Sequence, residues 1–407
     1  MGKMVTPNNE MLPIPTSRYA HIVGWGMAVP DTILTNHDLE AIVDTSDDWI
    51  RSRTGIKERR IAGETESTAS LGLKAARIAL EVADILPTEI DLIVVATSTP
   101  ENIFPSTASL IQNWLGATRA GAFDLSAACS GFVYGVDMAA QAIRSGSMRV
   151  ALVIGAETMT RVMDWQDRGT CILFGDGAGA VVLKASDVEG GVLSAVLRSD
   201  GSGGDMLGIP TVGSEDLYHS DFSPNGHKMH KMHMNGGEVF KFATRVIAES
   251  IEQALVKAGI GIEDLSLIVP HQANARIIQA AARSLKVDAD LFVVNLERYG
   301  NTSAASIPIA LCEALDQKRL KPGEYAAFIG FGGGLTWASM IIKWTGTATT
   351  DARPSISINQ QRRQISYMVV RWRAQWKRLN QQISNFFERI PFRRSRIQRL
   401  RDKVDQL

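Results

Sequence analysis

Hydrophobic positions along this chain fall into two kinds of run. DLIVVATS, Asp91 to Ser98, and VALVIGAET, Val150 to Thr158, are short and continuously apolar, the mark of strands covered on both faces. HIVGWGMAVP, from His21, reads as an opening strand and turn. GDGAGAVVLKA, Gly175 to Ala185, and GVLSAVLRS, Gly191 to Ser199, read as a pair of strands. Between them, SLGLKAARIALEVADI, Ser70 to Ile85, repeats its apolar residues at helical spacing. PSTASLIQNWLG begins like a helix, with Pro105 and Ser106 near its start. Glu238 to Ala258 is a longer helical stretch.

The order then repeats. PTEIDLIVVATST from Pro87 and IEDLSLIVPHQAN from Ile262 each run acidic turn, apolar strand, polar loop, and each follows a helix. FGDGAGAVVL at Phe174 and FGGGLTWASMII at Phe331 close the two series alike. Two similar α/β halves are expected, 19–190 and 191–345, duplicated and packed as an α/β/α/β/α body. A short extension, 1–18, precedes them and a tail, 346–407, follows.

The tail has a different pattern. Ile365, Val369, Trp372, Trp376, Leu379, Ile383, Phe386 and Ile390 recur at alternating four and three, an amphipathic helix stopped by Pro391. Arg371, Arg373, Lys377 and Arg378 lie off that stripe. FRRSRIQRLRDKVDQL, from Phe392, adds a second basic stretch. From Gly346 onward there are 14 Lys and Arg against 4 Asp and Glu. The chain's 43 basic and 43 acidic residues therefore divide into a basic tail and an acidic body. Trp and Arg together suit an anionic membrane surface. The regular heptad suits a coiled coil or partner helix. Nucleic acid fits least, because nothing else in the chain resembles a reader.

Composition excludes several classes. With 45% hydrophobic residues in 407, the chain has enough for a large core. No apolar run approaches the roughly 20 residues that span a bilayer. Three scattered cysteines make no disulfide framework and suit a reducing cytoplasm. In HKMHKMHM, His227, His230 and His233 lie three apart, but in a strand such residues point to opposite faces, and no metal site is expected. The long loop around them, 201–235, is placed to reshape a neighbouring pocket.

One cysteine raises a chemical question. GAFDLSAACSGFVYGVDMAAQAI delivers Cys129 between a strand and a helix, among small neighbours. Unpaired N–H groups at a helix start lower a thiol's pKa and can hold an oxyanion. Buried core cysteines are equally common. His271 in VPHQANARI and Asn301 in YGNTSAASIPIA also sit at strand-to-helix junctions. Ligands gather at such junctions in α/β layers. Cys171 and Cys312 read as buried residues without catalytic partners.

Taken together, AACSGF, GDGAGA, VPHQANARI, GNTSAAS and FGGGLTW closely resemble β-ketoacyl-acyl-carrier-protein synthase III, the initiating condensing enzyme of type II fatty-acid synthesis. The resemblance covers about Tyr19 to Lys343. It implies a thiolase-like fold and a Cys129–His271–Asn301 triad, with the N–H groups of Cys129 and Gly333 as the oxyanion hole. It implies decarboxylative condensation of a short acyl-CoA with malonyl-acyl-carrier protein, through an acyl-cysteine and without a metal or redox cofactor. Thr45, Trp49 and Arg53 in VDTSDDWIRSRTGI, Arg168 in DWQDRGT and Asn274 match the family's CoA contacts. Phe104 matches a wall of the acyl pocket that reaches across a homodimer, and favours short primers such as acetyl. Lys241, Arg276 and Arg283 are candidates for docking the acidic carrier protein. Two rivals remain: a related acyltransferase of secondary metabolism, and a tethered, non-catalytic scaffold for the carrier protein. No glutamate in the matched motifs reads as a catalytic carboxylate.

Overall fold

Apolar runs long enough for one strand, separated by amphipathic helices, must stack in layers to hide both faces of each sheet. The computed structural model describes residues 18–211, 226–346 and 358–388. Among these, nine longer strands form two sheets. The first holds β1 (Tyr19–Ala28), β2 (Leu92–Ala96), β3 (Gly121–Leu125), β4 (Val150–Thr158) and β5 (Asp176–Ser186), in the order β1-β5-β4-β2-β3. The second holds β6 (Gly191–Ser199), β7 (Leu265–Pro270), β8 (Tyr325–Gly332) and β9 (Thr336–Lys343), in the order β7-β8-β9-β6.

Their pairings repeat. β1–β5 and β5–β4 are antiparallel, while β4–β2 and β2–β3 are parallel. β6–β9 and β9–β8 are antiparallel, while β8–β7 is parallel. Phe292 bridges Ile268 in parallel, at the place β3 holds in the first sheet. The duplication read from the sequence is thus a duplication of topology.

Helices fill the layers. α1 (Asp47–Thr54) edges the second half, and α2 (Thr68–Ala83) and α3 (Thr107–Leu115) cover the first sheet's outer face. α4 (Gly131–Arg144) lies between the sheets. α5 (Gly236–Ala258) and α6 (Ala275–Leu285) cover the second sheet's outer face, and α7 (Ser306–Asp316) joins α4 in the middle layer. Phe132 and Val136 from α4, and Ile307 and Leu311 from α7, share one core with Val153, Phe328 and Met340 from the two sheets. The layered thiolase-like fold is the one the sequence implied.

One pairing differs from its simplest reading. β5 and β6 are consecutive but lie in different sheets. Gly191 sits at φ 67°, and a Cβ there would come within 2.0 Å of the Ala20 carbonyl oxygen. Only glycine lets the chain pass this close to β1 as it changes sheets.

α8 (Ile358–Glu388) carries the tail's amphipathic pattern. It docks on α2 and α3, but not by its apolar stripe. Arg363 pairs with Asp84 at 2.8 Å, and Asn359 Nδ2 donates to the same carboxylate at 3.1 Å. The Arg77 guanidinium lies 4.6 Å over the Tyr367 ring. Ile365, Met368, Val369, Trp372, Trp376 and Ile383 are exposed instead. The Trp372 and Trp376 rings stack on each other at 5.7 Å. The extension before Arg18, part of the long loop, the side chains of Leu379 and Phe386, Ile390 and Pro391, and the second basic stretch lie outside the described residues.

Candidate active site

A cavity of about 860 Å³ opens where the C-terminal ends of the central strands meet. Cys129, His271 and Asn301 all line it, and they are only 6, 2 and 5% exposed. The structure brings the three together from β3, β7 and the loop before α7.

The backbone around the thiol is held in an uncommon shape. Ala128 has φ 45°, a left-handed conformation that L residues with a Cβ rarely adopt. Cys129 follows it in a single 3₁₀ turn, Ala128–Ser130, that runs into α4. The end of β8 passes directly beneath: a Cβ on Gly332 would lie 2.7 Å from the Cys129 nitrogen. Gly333 follows and lines the cavity. FGGGLTW thus supplies close backbone approach to the thiol.

The thiol itself departs from expectation. A helix start should favour the thiolate, but burial pushes Cys129 up to about 12. Desolvation is the main cause, and it favours the neutral S–H. It donates to Ser303 Oγ at 3.4 Å.

His271 is held from both sides. Its backbone N–H donates to Ile329 O at 2.7 Å, fixing the end of β7 to β8. Its Nδ1 lies 2.6 Å from Ser306 Oγ. The Phe331 ring meets the imidazole edge-on at 5.1 Å. Burial depresses its pKa to about 3, so the ring is neutral. A Ser306 hydroxyl that donates to Nδ1 leaves the ring proton on Nε2, as a donor for the cavity.

Asn301 is oriented by its own loop. The Ser303 backbone N–H donates to Asn301 Oδ1 at 2.8 Å. A backbone N–H must find the oxygen, so the side-chain NH₂ is left as a donor. The loop is tied to the 173–175 segment, with Asn301 N–H on Leu173 O and Gly175 N–H on Asn301 O. Glu313 on α7 anchors the turn before it, accepting from Asn295, Arg298 and Tyr299 at 2.6–2.8 Å.

Trp49, Arg53, Lys241, Asn274 and Arg276 line the cavity mouth. Ser46 caps α1 and accepts from the Trp49 N–H. Gly55 ends α1 at φ 83°, where a Cβ would be 2.8 Å from that of Ala275. Asn274 caps α6, accepting from Arg276 N–H at 2.9 Å, and its NH₂ donates to Arg53 O at 3.1 Å. That bond stitches α1 to α6. Arg276 lies 5.7 Å over Phe240, and Lys241 pairs with Glu238. Arg283 is exposed near the end of α6, away from the cavity lining.

Thr45, Phe104 and Arg168 lie outside the lining of this chain's cavity. Arg168 lies 4.8 Å over the Trp49 ring, with Arg53 at 4.5 Å from the same ring, so the indole is already clamped by two guanidiniums. Arg168 donates to Asp44 O at 2.9 Å. Thr45 does not line the cavity, and its buried Oγ1 finds no partner among the described residues. Phe104 is 85% exposed and stands outside its own chain's cavity.

The long loop does reach the pocket. Leu207–Gly208 pairs with His233–Met234, and Leu207, Ile209, Met232 and Met234 line the cavity. His227 and His233 stack ring on ring at 3.5 Å, while His230 turns to Thr211. Among the described residues, no three His, Cys, Asp or Glu gather as for a metal.

Sequence reasoning missed Glu157. This carboxylate ends β4 fully buried and accepts from Ser303 Oγ at 2.9 Å, beside the thiol. An acid in an otherwise apolar buried run was its one signal.

A thiol, a neutral imidazole and a carboxamide donor at the junction of two duplicated α/β halves define an acyl-transferring enzyme of thiolase-like fold. Residues 123–201 match the family model for 3-oxoacyl-[acyl-carrier-protein] synthase III, and 255–344 match its C-terminal model. The chain is 51% identical over 329 residues to the β-ketoacyl-[acyl-carrier-protein] synthase III of Roseiflexus sp. (strain RS-1), covering 81% of this chain and 99% of the relative. It is 52% identical to that of Desulfitobacterium hafniense (strain DSM 10664 / DCB-2), covering 80% and 97%. The crystal structure of the synthase III from Aquifex aeolicus superposes with a TM-score of 0.74 at 46% identity, covering 80% and 100%. The priming β-ketosynthase of the R1128 polyketide pathway superposes at 0.76 with 38% identity, covering 82% and 99%. The chain belongs to the β-ketoacyl-[acyl-carrier-protein] synthase III family, the condensing acyltransferases that initiate fatty-acid synthesis.

Proposed function

We propose that Cys129, His271 and Asn301 carry the condensation. One observation supports this most: the three face a single cavity, with Ser306 Oγ against His271 Nδ1 and the Ser303 N–H on Asn301 Oδ1. Acyl-CoA enters past Trp49, Arg53 and Asn274, and Cys129 sulfur attacks its carbonyl carbon. The N–H groups of Cys129 and Gly333 hold the oxyanion, and CoA leaves. Malonyl-acyl-carrier protein then docks against Lys241, Arg276 and Arg283. As CO₂ departs, His271 Nε2–H and the Asn301 NH₂ donate to the thioester oxygen. Preorganised donors of this kind contribute about 3–4 kcal/mol each in the transition state. The enolate attacks the acyl group, the new C–C bond forms and Cys129 is released.

The test is intact-protein mass after mixing with a panel of acyl-CoAs, beside Cys129→Ala, followed by malonyl-acyl-carrier protein. An adduct on wild type alone, discharged with CO₂ and a β-ketoacyl product, is expected, and acetyl should load. An adduct that malonyl-acyl-carrier protein cannot discharge would sink the condensation in favour of simple acyl transfer. The likeness to the R1128 enzyme supports a second reading, priming of a polyketide. Preference for a polyketide carrier protein in the discharge step would select it.

Two further parts follow the family reading. Exposed Ile103 and Phe104 suit a homodimer in which Phe104 walls the partner subunit's acyl pocket. The tail suits an anionic membrane surface. Its body-facing side is already used by Arg363 and Tyr367, leaving a tryptophan-bearing stripe free on a helix rich in Lys and Arg. None of the described helices is long and apolar enough to cross a membrane, so this contact lies along the surface. Co-sedimentation with phosphatidylglycerol vesicles should fall sharply in a chain ending at residue 346. Equal sedimentation would refute it.

A further inference from the structure

The reading of Cys129 as nucleophile leaves a question of protons, and the following rests on that reading. Burial favours the neutral thiol, whose proton must leave as sulfur attacks. His271 is poorly suited to take it. Its Nδ1 is occupied by Ser306 Oγ at 2.6 Å, and burial holds the ring far below the ordinary imidazole range.

Another route is built. The S–H donates to Ser303 Oγ at 3.4 Å, and Ser303 Oγ donates to Glu157 Oε1 at 2.9 Å. Ser303 is held at φ 48° by its N–H bond to Asn301, a left-handed shape that a β-hydroxyl residue adopts only when its surroundings fix it. Glu157 is 0% exposed. Its contacts are all donors: Thr99 Oγ1 at 2.6 Å, Thr97 Oγ1 at 3.2 Å, the Ser98 N–H at 3.0 Å, the Ala304 N–H at 3.5 Å and Ser303. No cation is among them. These donors favour the carboxylate, while burial, the larger effect, raises its pKa and so favours its taking a proton. Of these donors, Ser303 alone also receives the thiol.

We propose that Glu157, through the Ser303 hydroxyl, takes the Cys129 proton during acylation and holds it for as long as the enzyme carries its acyl group. As sulfur bonds to the acyl carbon, the S–H proton passes to Ser303 Oγ while the Ser303 proton passes to Glu157 Oε1. The C–S bond to CoA breaks, and the CoA thiolate takes a proton from water. In condensation the malonyl C–CO₂ bond breaks, the C–C bond forms and the C–S bond to Cys129 breaks. The released thiolate recovers its proton from Glu157 by the same path. The whole cycle consumes one proton, and this relay places its uptake in the first half-reaction. Direct transfer from Cys129 to CoA would place it in the second. Ser303 touches the reacting sulfur; Glu157 acts through it.

Stopped-flow with a pH indicator in weak buffer separates the two. Full-length enzyme is mixed with acetyl-CoA, or with the acyl-CoA that loads best, and no malonyl-acyl-carrier protein is added. The working pH is about 7, below the free thiol range of about 8.5. Intact mass on the same sample counts adducts. One proton taken up per adduct is expected in wild type. In Ser303→Ala and Glu157→Gln, acylation should slow by about 10²–10⁴-fold, the usual scale of a lost proton-transfer partner. The adduct that still forms should take up no proton. Ser303→Ala removes a single hydroxyl and decides the matter even where Glu157→Gln does not fold. Wild-type adduct without proton uptake, or unchanged uptake in Ser303→Ala, overturns the relay and leaves Cys129 as the nucleophile. No adduct from any acyl-CoA overturns both.

Discussion

Replacing Ser306 by alanine tests the state of His271 without touching the substrate side of the ring. Ser306 Oγ and His271 Nδ1 are 2.6 Å apart, and the two residues are each 2% exposed. Water cannot easily replace the lost hydroxyl there. A buried nitrogen left without its partner is destabilised by about 1–3 kcal/mol. The ring has two ways to avoid that: move its proton to Nδ1, or rotate away. Either one withdraws the Nε2–H donor from the enolate oxygen. At about 1.4 kcal/mol per tenfold, decarboxylation should fall by roughly 5- to 150-fold.

Acylation should change much less, because His271 does not act on the thiol in this scheme. The assay therefore separates the halves. CO₂ release from malonyl-acyl-carrier protein is timed on enzyme already loaded with its acyl group, and adduct formation is timed by mass. A thermal unfolding scan checks that the fold persists. A fall confined to decarboxylation supports the tautomer argument, and Ser306→Thr, which restores a hydroxyl, should recover part of the rate. CO₂ release within twofold of wild type, in a folded Ser306→Ala enzyme, would refute it. Equal loss in both halves would refute it too, by pointing to general disruption.

Three other outcomes follow from the geometry. Gly332→Ala places a Cβ 2.7 Å from the Cys129 nitrogen and 3.0 Å from its Cβ, so adduct formation should drop by at least about tenfold, a displacement effect readable by intact mass. Arg168→Ala removes one guanidinium from the Trp49 face, and the Michaelis constant for acyl-CoA should shift while decarboxylation of loaded enzyme stays the same. His271 has a folded pKa of about 3 against an ordinary 6.5, so the unfolded chain binds the proton first; its contribution to stability is complete above about pH 6.5 and is lost as pH falls toward 3. Urea midpoints from pH 7 to 4 should fall more steeply in wild type than in His271→Asn, and equal slopes would count against a buried neutral ring.

Much of this architecture was legible from apolar runs. β4 is buried at all nine positions, and its sequence is apolar along nearly its whole length. The helices were read within a turn, because Ser106 and the glycines after Leu115 and Ala258 cap them as their types predict. The strand-to-helix junctions marked Cys129, His271 and Asn301 as candidates, and the resemblance of their motifs to the synthase family grouped them as a triad. Other features were not. The docked face of α8 is formed by Arg363 and Tyr367, which read as polar, while Ile365, Val369, Trp372, Trp376 and Ile383 of the apolar stripe are exposed. Periodicity finds the apolar stripe of a helix but not which side a neighbour takes. Ser303, Ser306 and Glu157 were passed over because a serine or a glutamate carries no spacing signal, and their meaning depends on residues 35 to 174 positions away. The thiol's depth was not legible for a related reason. Sequence locates a helix start, whereas depth of burial is a property of the assembled layers.

That depth decides how the site can work. The same dry surroundings push Cys129 up to about 12 and His271 down to about 3, so a thiolate–imidazolium pair is disfavoured from both sides at rest. The structure places a hydroxyl against Nδ1 of His271, not a carboxylate that would hold the ring charged. The carboxylate that is present, Glu157, lies on the thiol's side, behind Ser303. This division separates two tasks that compete when one imidazole must do both. Accepting a proton from sulfur requires a basic, unprotonated nitrogen facing the thiol. Steadying an enolate requires a nitrogen that keeps its proton and faces the thioester oxygen. In the proposed scheme Glu157 stores the proton, which would leave His271 a donor through both half-reactions beside Asn301, which never titrates.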